Sequence, residues 1–446
     1  SRKIPILASG DVRCADPQGR TLLDALTCLH AKTTLDEAGR RLLINGERHL
    51  HKPEAVIERF RDHPEWILAT RTVSERCGFR LEDLEYDFPR YPVPLGESQD
   101  GYLKILTLQG AQQRYGTPLP ARVSRQLEHE LRVIEKLDLA GYFLIVHDIA
   151  DFARREKILC QGRGSAANSA VCYALGITAV DPVGMKLLFE RFLSEERGEW
   201  PDIDLDQPSG DQRERVIQYV FNKYGEHRAA MTANVITYRT RMAVREMGKV
   251  LGLDTSTLDR LSGKLSSLDA ESSTADVHTR LKEAGVDPEA PRITHLLELI
   301  QSIRGLPRHL GQHSGGIVIA DHRLDEVVPI EPARMAGRRV VQWDKEDCTD
   351  QGIIKIDLLG LGMLAALEET IPLIRRHEGI EIDLARLPAD DPDTYRMIQQ
   401  ADTVGVFQIE SRAQMATLPR MKPRTFYDLV VEIAIIRPGP IVGRMV

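Results

Sequence analysis

The sequence predicts a multidomain α/β protein, on three observations. Its 446 residues are 42% hydrophobic and 28% charged, enough apolar material for roughly two to four buried cores. Long stretches carry apolar residues at helical spacing. Three short stretches carry β-branched residues beside turn and glycine signals, the pattern of strands.

The helical stretches lie in the first two thirds. From about Val123 to Ile158, Leu127, Leu131, Ile134 and Leu137 recur at helical intervals; Tyr142, Phe143, Ile145, Val146, Ile149 and Phe152 follow after Gly141. Arg213 to Tyr224 and Thr240 to Leu251 read as further helices. Glu271 to Pro291 is polar and irregular and reads as a surface excursion. The predicted strands are Gly316 to Ala320, Arg339 to Trp343 and Ile353 to Leu358. Phe88 to Gly96 (FPRYPVPLG) is a proline-rich connector.

Composition narrows the class. No segment approaches the ~18 consecutive apolar residues of a membrane span, and Ser1 to Gly10 lacks the layout of a secretory signal. The six cysteines (Cys14, Cys28, Cys77, Cys160, Cys172, Cys348) are scattered. That argues against a disulfide framework or zinc knuckle and fits a reducing cytoplasm. A net charge of −7 does not advertise a nucleic-acid partner, although phosphate binding needs only a local basic surface.

Three constellations carry chemistry. In Pro201-Asp202-Ile203-Asp204-Leu205-Asp206, strand alternation would project the three aspartates together, with Ile203 and Leu205 packed behind. Carboxylates so close repel unless a hard cation such as Mg²⁺ neutralises them. A solvated acidic turn is the plainer alternative, as at Asp391 and Asp393. In Ile353-Ile354-Lys355-Ile356-Asp357-Leu358, alternation puts Ile354, Ile356 and Leu358 on one face and Lys355 with Asp357 on the other. Asp357 then reads as a third metal-binding carboxylate or base, or the segment is an edge strand with one solvated face. In Gly162-Arg163-Gly164-Ser165-Ala166-Ala167-Asn168-Ser169, Ser165 suits a helix N-cap. Free amides there, with Arg163 beside them, would cradle a phosphate; an ordinary capped helix is the alternative.

Basic residues recur nearby. Arg191 lies among apolar residues just upstream of the acidic segment, followed by Arg197, Arg239, Arg241, Arg245 and Lys249. Arg215 and Arg375 read as solvated charges. His309 and His313 have no evident third ligand and read as structural or DNA-contacting, and His49 and His51 as surface residues.

In order along the chain, GYFLIVHDIADFARREKI, GRGSAANSAVCYALGIT, LLFERFLSEER, PDIDLD, QHSGGIVIA, QWDKED, IKIDLLGLG, GVFQIESR and RPGP resemble the bacterial family C DNA polymerases, the polymerase III alpha subunits. The resemblance runs from about Leu127 to Gly439. It implies a palm of the polymerase β-like nucleotidyltransferase fold, a helical thumb and the start of helical fingers. The implied division is 1–70 the C-terminal remnant of a PHP (polymerase and histidinol phosphatase) domain, 71–233 and 312–361 the palm, 234–311 the thumb, and 362–446 truncated fingers. Asp202, Asp204 and Asp357 match the catalytic, metal-binding carboxylates. Arg163, Gly164, Ser165, Arg191, Arg197, Lys355 and Arg437 match residues near the incoming nucleotide. Two Mg²⁺ ions, primer-template DNA and a deoxynucleoside triphosphate are implied. For a full-length protein the resemblance adds a sliding clamp and other mutagenesis-complex proteins, with no membrane. Segments such as AAMTANVITYRTRMAVREMGKVLGL and NGERHL look like the error-prone branch. In the motif at Gly10-Asp11-Val12-Arg13, Arg13 stands where metal-binding members carry His, so a PHP nuclease site is not expected. The chain end at Val446 reads as cut. The rival readings are a catalytically inert DNA- or protein-binding scaffold of a damage-response complex, and a template-independent nucleotidyltransferase.

Overall fold

The computed structural model describes residues 6–194, 201–266, 273–382, 384, 387 and 390–436. The chain divides into two units: Ser1–Glu85 with Ala233–His313 and Gln342–Gln351, and Tyr86–Thr232 with Ser314–Val341 and Gly352–Val446. Among the described residues, no helix is long and apolar enough to cross a membrane.

The first unit is helical. Its core joins Ala25 and Cys28 of the helix Gly19–Ala31 to Val244 and Met247 of Thr240–Val250, Leu261 of Thr255–Leu265, and Leu296 and Leu299 of Pro291–Ile303. Ala243, Val244, Met247 and Val250 fall on one helical stripe and are all buried. The Asp254 carboxylate starts the next helix by accepting from Thr257 N at 3.0 Å. The polar segment expected to be irregular holds a helix, Thr274–Glu283, whose Ser273 cap accepts from Asp276 N and whose Leu281 is fully buried. One leucine on a polar helix suffices to dock it, and that is too little periodicity to read in sequence. His49 and His51 are half-buried with ring centroids 4.1 Å apart, and so are not simple surface residues. Asp11 is held by Arg13 and by Arg48.

A seven-stranded sheet lies mainly in the second unit, with residues 233–237 and 307–313 of two of its strands counted in the first. Its strands are β1 Gln161–Arg163, β2 Asp204–Pro208, β3 Ala229–Thr237, β4 Pro307–Ile319, β5 Ile330–Pro332, β6 Arg339–Val341 and β7 Lys355–Leu361. Their order is β1-β2-β7-β4-β3-β6-β5. β2 and β7 are parallel neighbours with Asp204 opposite Asp357, and β1 and β4 flank them antiparallel. β7 is therefore a central strand, which overturns the edge-strand alternative.

Alternation holds in both strands. Ile203, Leu205, Ile354, Ile356 and Leu358 are buried, between 0% and 3% exposed, which leaves the other face to the charged residues. The helices Ala121–Lys136 and Ala140–Arg155 are separated at residues 137–139, where Asp138 adopts φ +53°. Gly141 is the second residue of the latter helix. Tyr142, Phe143, Leu144, Ile145 and Val146 are all at most 1% exposed, as expected of a helix apolar on every side.

Candidate active site

Asp202 is exposed just before β2, Asp204 opens β2, and Asp357 is buried on β7. Parallel register brings Asp204 beside Asp357. One carboxylate oxygen from each of the three residues lies within 4.8 Å of the others. Sequence reading joined these three across a separation of more than 150 residues; the parallel β2–β7 pair is what unites them.

Their counter-charges come from the same strands. Lys355 Nζ is bonded to Asp357 Oδ2 and stands 3.9 Å from Asp202 Oδ1. Arg163 on β1 places Nη2 3.6 Å from Asp204 Oδ2 and Nε 3.3 Å from Asp206 Oδ2. Two cations thus face four carboxylates. Burial, reinforced by Asp202 and Asp357, pushes the Asp204 carboxyl up from 3.8 to about 6, with Arg163 and Lys355 opposing. Burial also raises Asp206, which Arg163 partly offsets. Lys355 and Arg163 therefore sit on carboxylates, and Asp206 packs under Arg163 with its side chain 6% exposed.

The Gly162–Ser169 segment folds differently from the expectation. Gly164–Asn168 is a 3₁₀ turn, and Ser165 caps nothing. Ser169 is the N-cap, accepting from Cys172 N at 3.1 Å at the start of the helix Ala170–Ala174. That helix end already has its anion, the fully buried Glu130 carboxylate. Glu130 accepts from Ala170 N at 2.9 Å, Val171 N at 3.0 Å, Ser169 Oγ at 2.8 Å and Gln126 Nε2 at 2.9 Å. An acid fixed by four donors fills the site a phosphate would need, so this helix end is no cradle. Gly164 itself has φ +71°, and a Cβ there would meet nothing within 4 Å, so the turn leaves open space beside Arg163.

Arg191 is exposed at the end of the turn Phe189–Arg191, between buried Phe189 and Phe192. Arg197 and Arg437 lie outside the described residues. His309 and His313 fall along β4.

Tyr142 was missed as a site residue. Its hydroxyl, on a fully buried ring, accepts from Ile203 N at 3.0 Å, and so pins the backbone between Asp202 and Asp204. The signal in sequence is a single phenol inside the apolar run GYFLIV, which needs a polar partner when buried.

Comparison with known proteins agrees with this architecture. The family model for the bacterial DNA polymerase III alpha NTPase domain matches residues 101–360, and that for the alpha subunit finger domain matches 363–446. Among curated relatives, the error-prone DNA polymerase of Alkalilimnicola ehrlichii is 48% identical over 444 residues, covering 100% of this chain and 43% of the relative. That of Mycobacterium tuberculosis is 51% identical over 99% of this chain and 39% of its own length. That of Pseudomonas syringae pv. tomato is 49% identical over 100% and 43%. The chain thus spans about two fifths of the relatives it matches. With a family model covering more than half its length, this chain belongs to the bacterial DNA polymerase III alpha family.

Proposed function

We propose that this chain carries the nucleotidyl-transfer centre of a DNA-directed DNA polymerase of the error-prone branch. The observation that carries the reading is the meeting of Asp202, Asp204 and Asp357 from two parallel strands. Such a cluster costs electrostatic energy in the metal-free protein, and an inert scaffold gains nothing from keeping it. The sheet of the second unit is read as a polymerase β-like palm, 234–311 as thumb, 362–446 as truncated fingers and 1–70 as the remnant of a PHP domain.

The residues fit a divalent cation: three carboxylates, hard oxygen donors, sit within 4.8 Å with only partial counter-charge. Asp202, Asp204 and Asp357 would hold one Mg²⁺, and Asp202 with Asp204 a second shared with the triphosphate. When bound there, Mg²⁺ would lower the pKa of a primer 3′-hydroxyl and neutralise charge on the leaving pyrophosphate. Lys355 holds the Asp357 carboxylate in place. Arg163 orients Asp204 and Asp206 and, half-exposed, keeps donors for a phosphate. The open space beside Gly164 admits the triphosphate next to Arg163, with Ser165, Arg191, Arg197 and Arg437 as further nucleotide contacts. Template pairing selects the base. Primer-template DNA and deoxynucleoside triphosphates are the substrates, and a sliding clamp with other mutagenesis-complex proteins the partners of a longer protein acting in the cytoplasm.

Primer extension with Mg²⁺ tests the assignment. Asp204→Asn should abolish extension while leaving DNA binding within about twofold, since that residue contacts metal rather than duplex. Near-normal extension by the variant would sink it.

A further inference from the structure

Arg114 ends the helix Gln99–Tyr115 and Arg154 ends Ala140–Arg155, and the two guanidiniums meet over Gly176. A Cβ on Gly176 would lie 2.4 Å from Arg154 Nη2 and 3.7 Å from Arg114 Nη2. The two nitrogens are therefore within about 6 Å, a distance at which like charges repel unless an anion lies between them. Arg154 has Asp151 at 2.9 Å and donates to Gly176 O at 3.2 Å. Arg114 lies 4.6 Å over the Tyr173 ring and, among the described residues, has no carboxylate partner.

The surroundings are built for a negative guest. The arginines line a cavity of about 690 Å³ with Gln109, Gln113 and His147. They also line a second of about 540 Å³ with Gln161 and Thr178. Among the described residues, no aspartate or glutamate lines either cavity. Thr178 is 1% exposed and, among the described residues, its hydroxyl has no hydrogen-bond partner. Gly162 N donates to Ile177 O at 2.7 Å, so this cleft abuts β1, the strand that carries Arg163 to Asp204.

We propose that the Arg114–Arg154 cleft is a second phosphate-binding site, distinct from the carboxylate centre, that receives a backbone phosphate of a DNA strand. A tetrahedral phosphate offers oxygens to two guanidinium forks at once, where a planar carboxylate suits one. Two cavities that share both arginines give a strand more room than a free anion would need. The choice of DNA rests on the polymerase reading; the phosphate chemistry does not.

The test measures binding of a fluorescent primer-template by the 446-residue chain across a series of salt concentrations, for wild type, Arg114→Gln and Arg114→Lys. Losing one phosphate contact should flatten the slope of log affinity against log salt by about 0.9, weakening binding alike for all DNA sequences. Arg114→Lys should restore the slope. A parallel titration follows thermal stabilisation by inorganic phosphate and by pyrophosphate. If Arg114→Gln keeps both the wild-type slope and the wild-type phosphate response, or if wild type shows neither, the proposal is overturned. Loss of the phosphate response with an unaltered DNA slope overturns the strand as ligand and assigns the cleft to free phosphate. An Arg114-dependent slope beside a full-length protein that cannot extend a primer would defeat the polymerase reading and leave this site standing.

Discussion

Asp204→Asn, expected to abolish extension, should at the same time make the metal-free protein more stable. Asp204 shares its site with Asp202 and Asp357, and burial plus their repulsion raise its carboxyl from 3.8 to about 6. At 1.36 kcal/mol per pKa unit that rise corresponds to about 3 kcal/mol. A quarter of the side chain is exposed and Arg163 lies 3.6 Å away, so screening and the lost attraction reduce the expected gain to about 1–3 kcal/mol. Because the folded pKa is the higher one, the wild type keeps the stabilising, protonated form below about pH 4 and loses it as pH rises through about 6. The variant, with nothing to ionise there, escapes that loss. Thermal melts in EDTA should therefore show the variant ahead by about 2–5 °C at pH 8 and by little near pH 4. Adding Mg²⁺ should narrow or reverse the gap, since only the wild type gains from binding. A variant no more stable than wild type at pH 8, or equally favoured at both pH values, would refute the electrostatic account of this site.

Two further outcomes follow from the packing around the site. Tyr142→Phe removes the acceptor for Ile203 N and should weaken Mg²⁺ or Mn²⁺ binding by about 10–100-fold, as loss of an outer-shell partner does. Calorimetric titration reads this, and unchanged affinity would show that the tyrosine does not position Asp202 and Asp204. Gly110→Ala places a Cβ 2.0 Å from the Ala174 carbonyl oxygen, so the helices Gln99–Tyr115 and Ala170–Ala174 must part. A loss of about 1–3 kcal/mol in urea unfolding is expected, and a neutral change would contradict the close packing.

Much of the candidate site was legible because the relevant patterns are local. Strand alternation sets Asp204 apart from Ile203 and Leu205, and Lys355 with Asp357 apart from Ile354 and Ile356, whatever else the chain does. Helical stripes such as Ala243, Val244 and Met247 are equally local. The fold and site could be placed in a family because many short motifs occur in one order.

What escaped the sequence depends on partners distant along the chain. Nothing local distinguishes Ser165 from Ser169 as a cap; Glu130, some forty residues upstream, settles it by taking the amides of Ala170 and Val171. The phenol of Tyr142 becomes a site residue only because its helix packs beneath Ile203. Whether Lys355 faces water or a carboxylate depends on β7 lying between β2 and β4. By itself the sequence determined which residues share a face, since backbone periodicity dictates that. Tertiary structure alone decided which faces meet, because burial, charge balance and hydrogen bonding between β2, β7 and the helices above them are properties of pairs and not of segments.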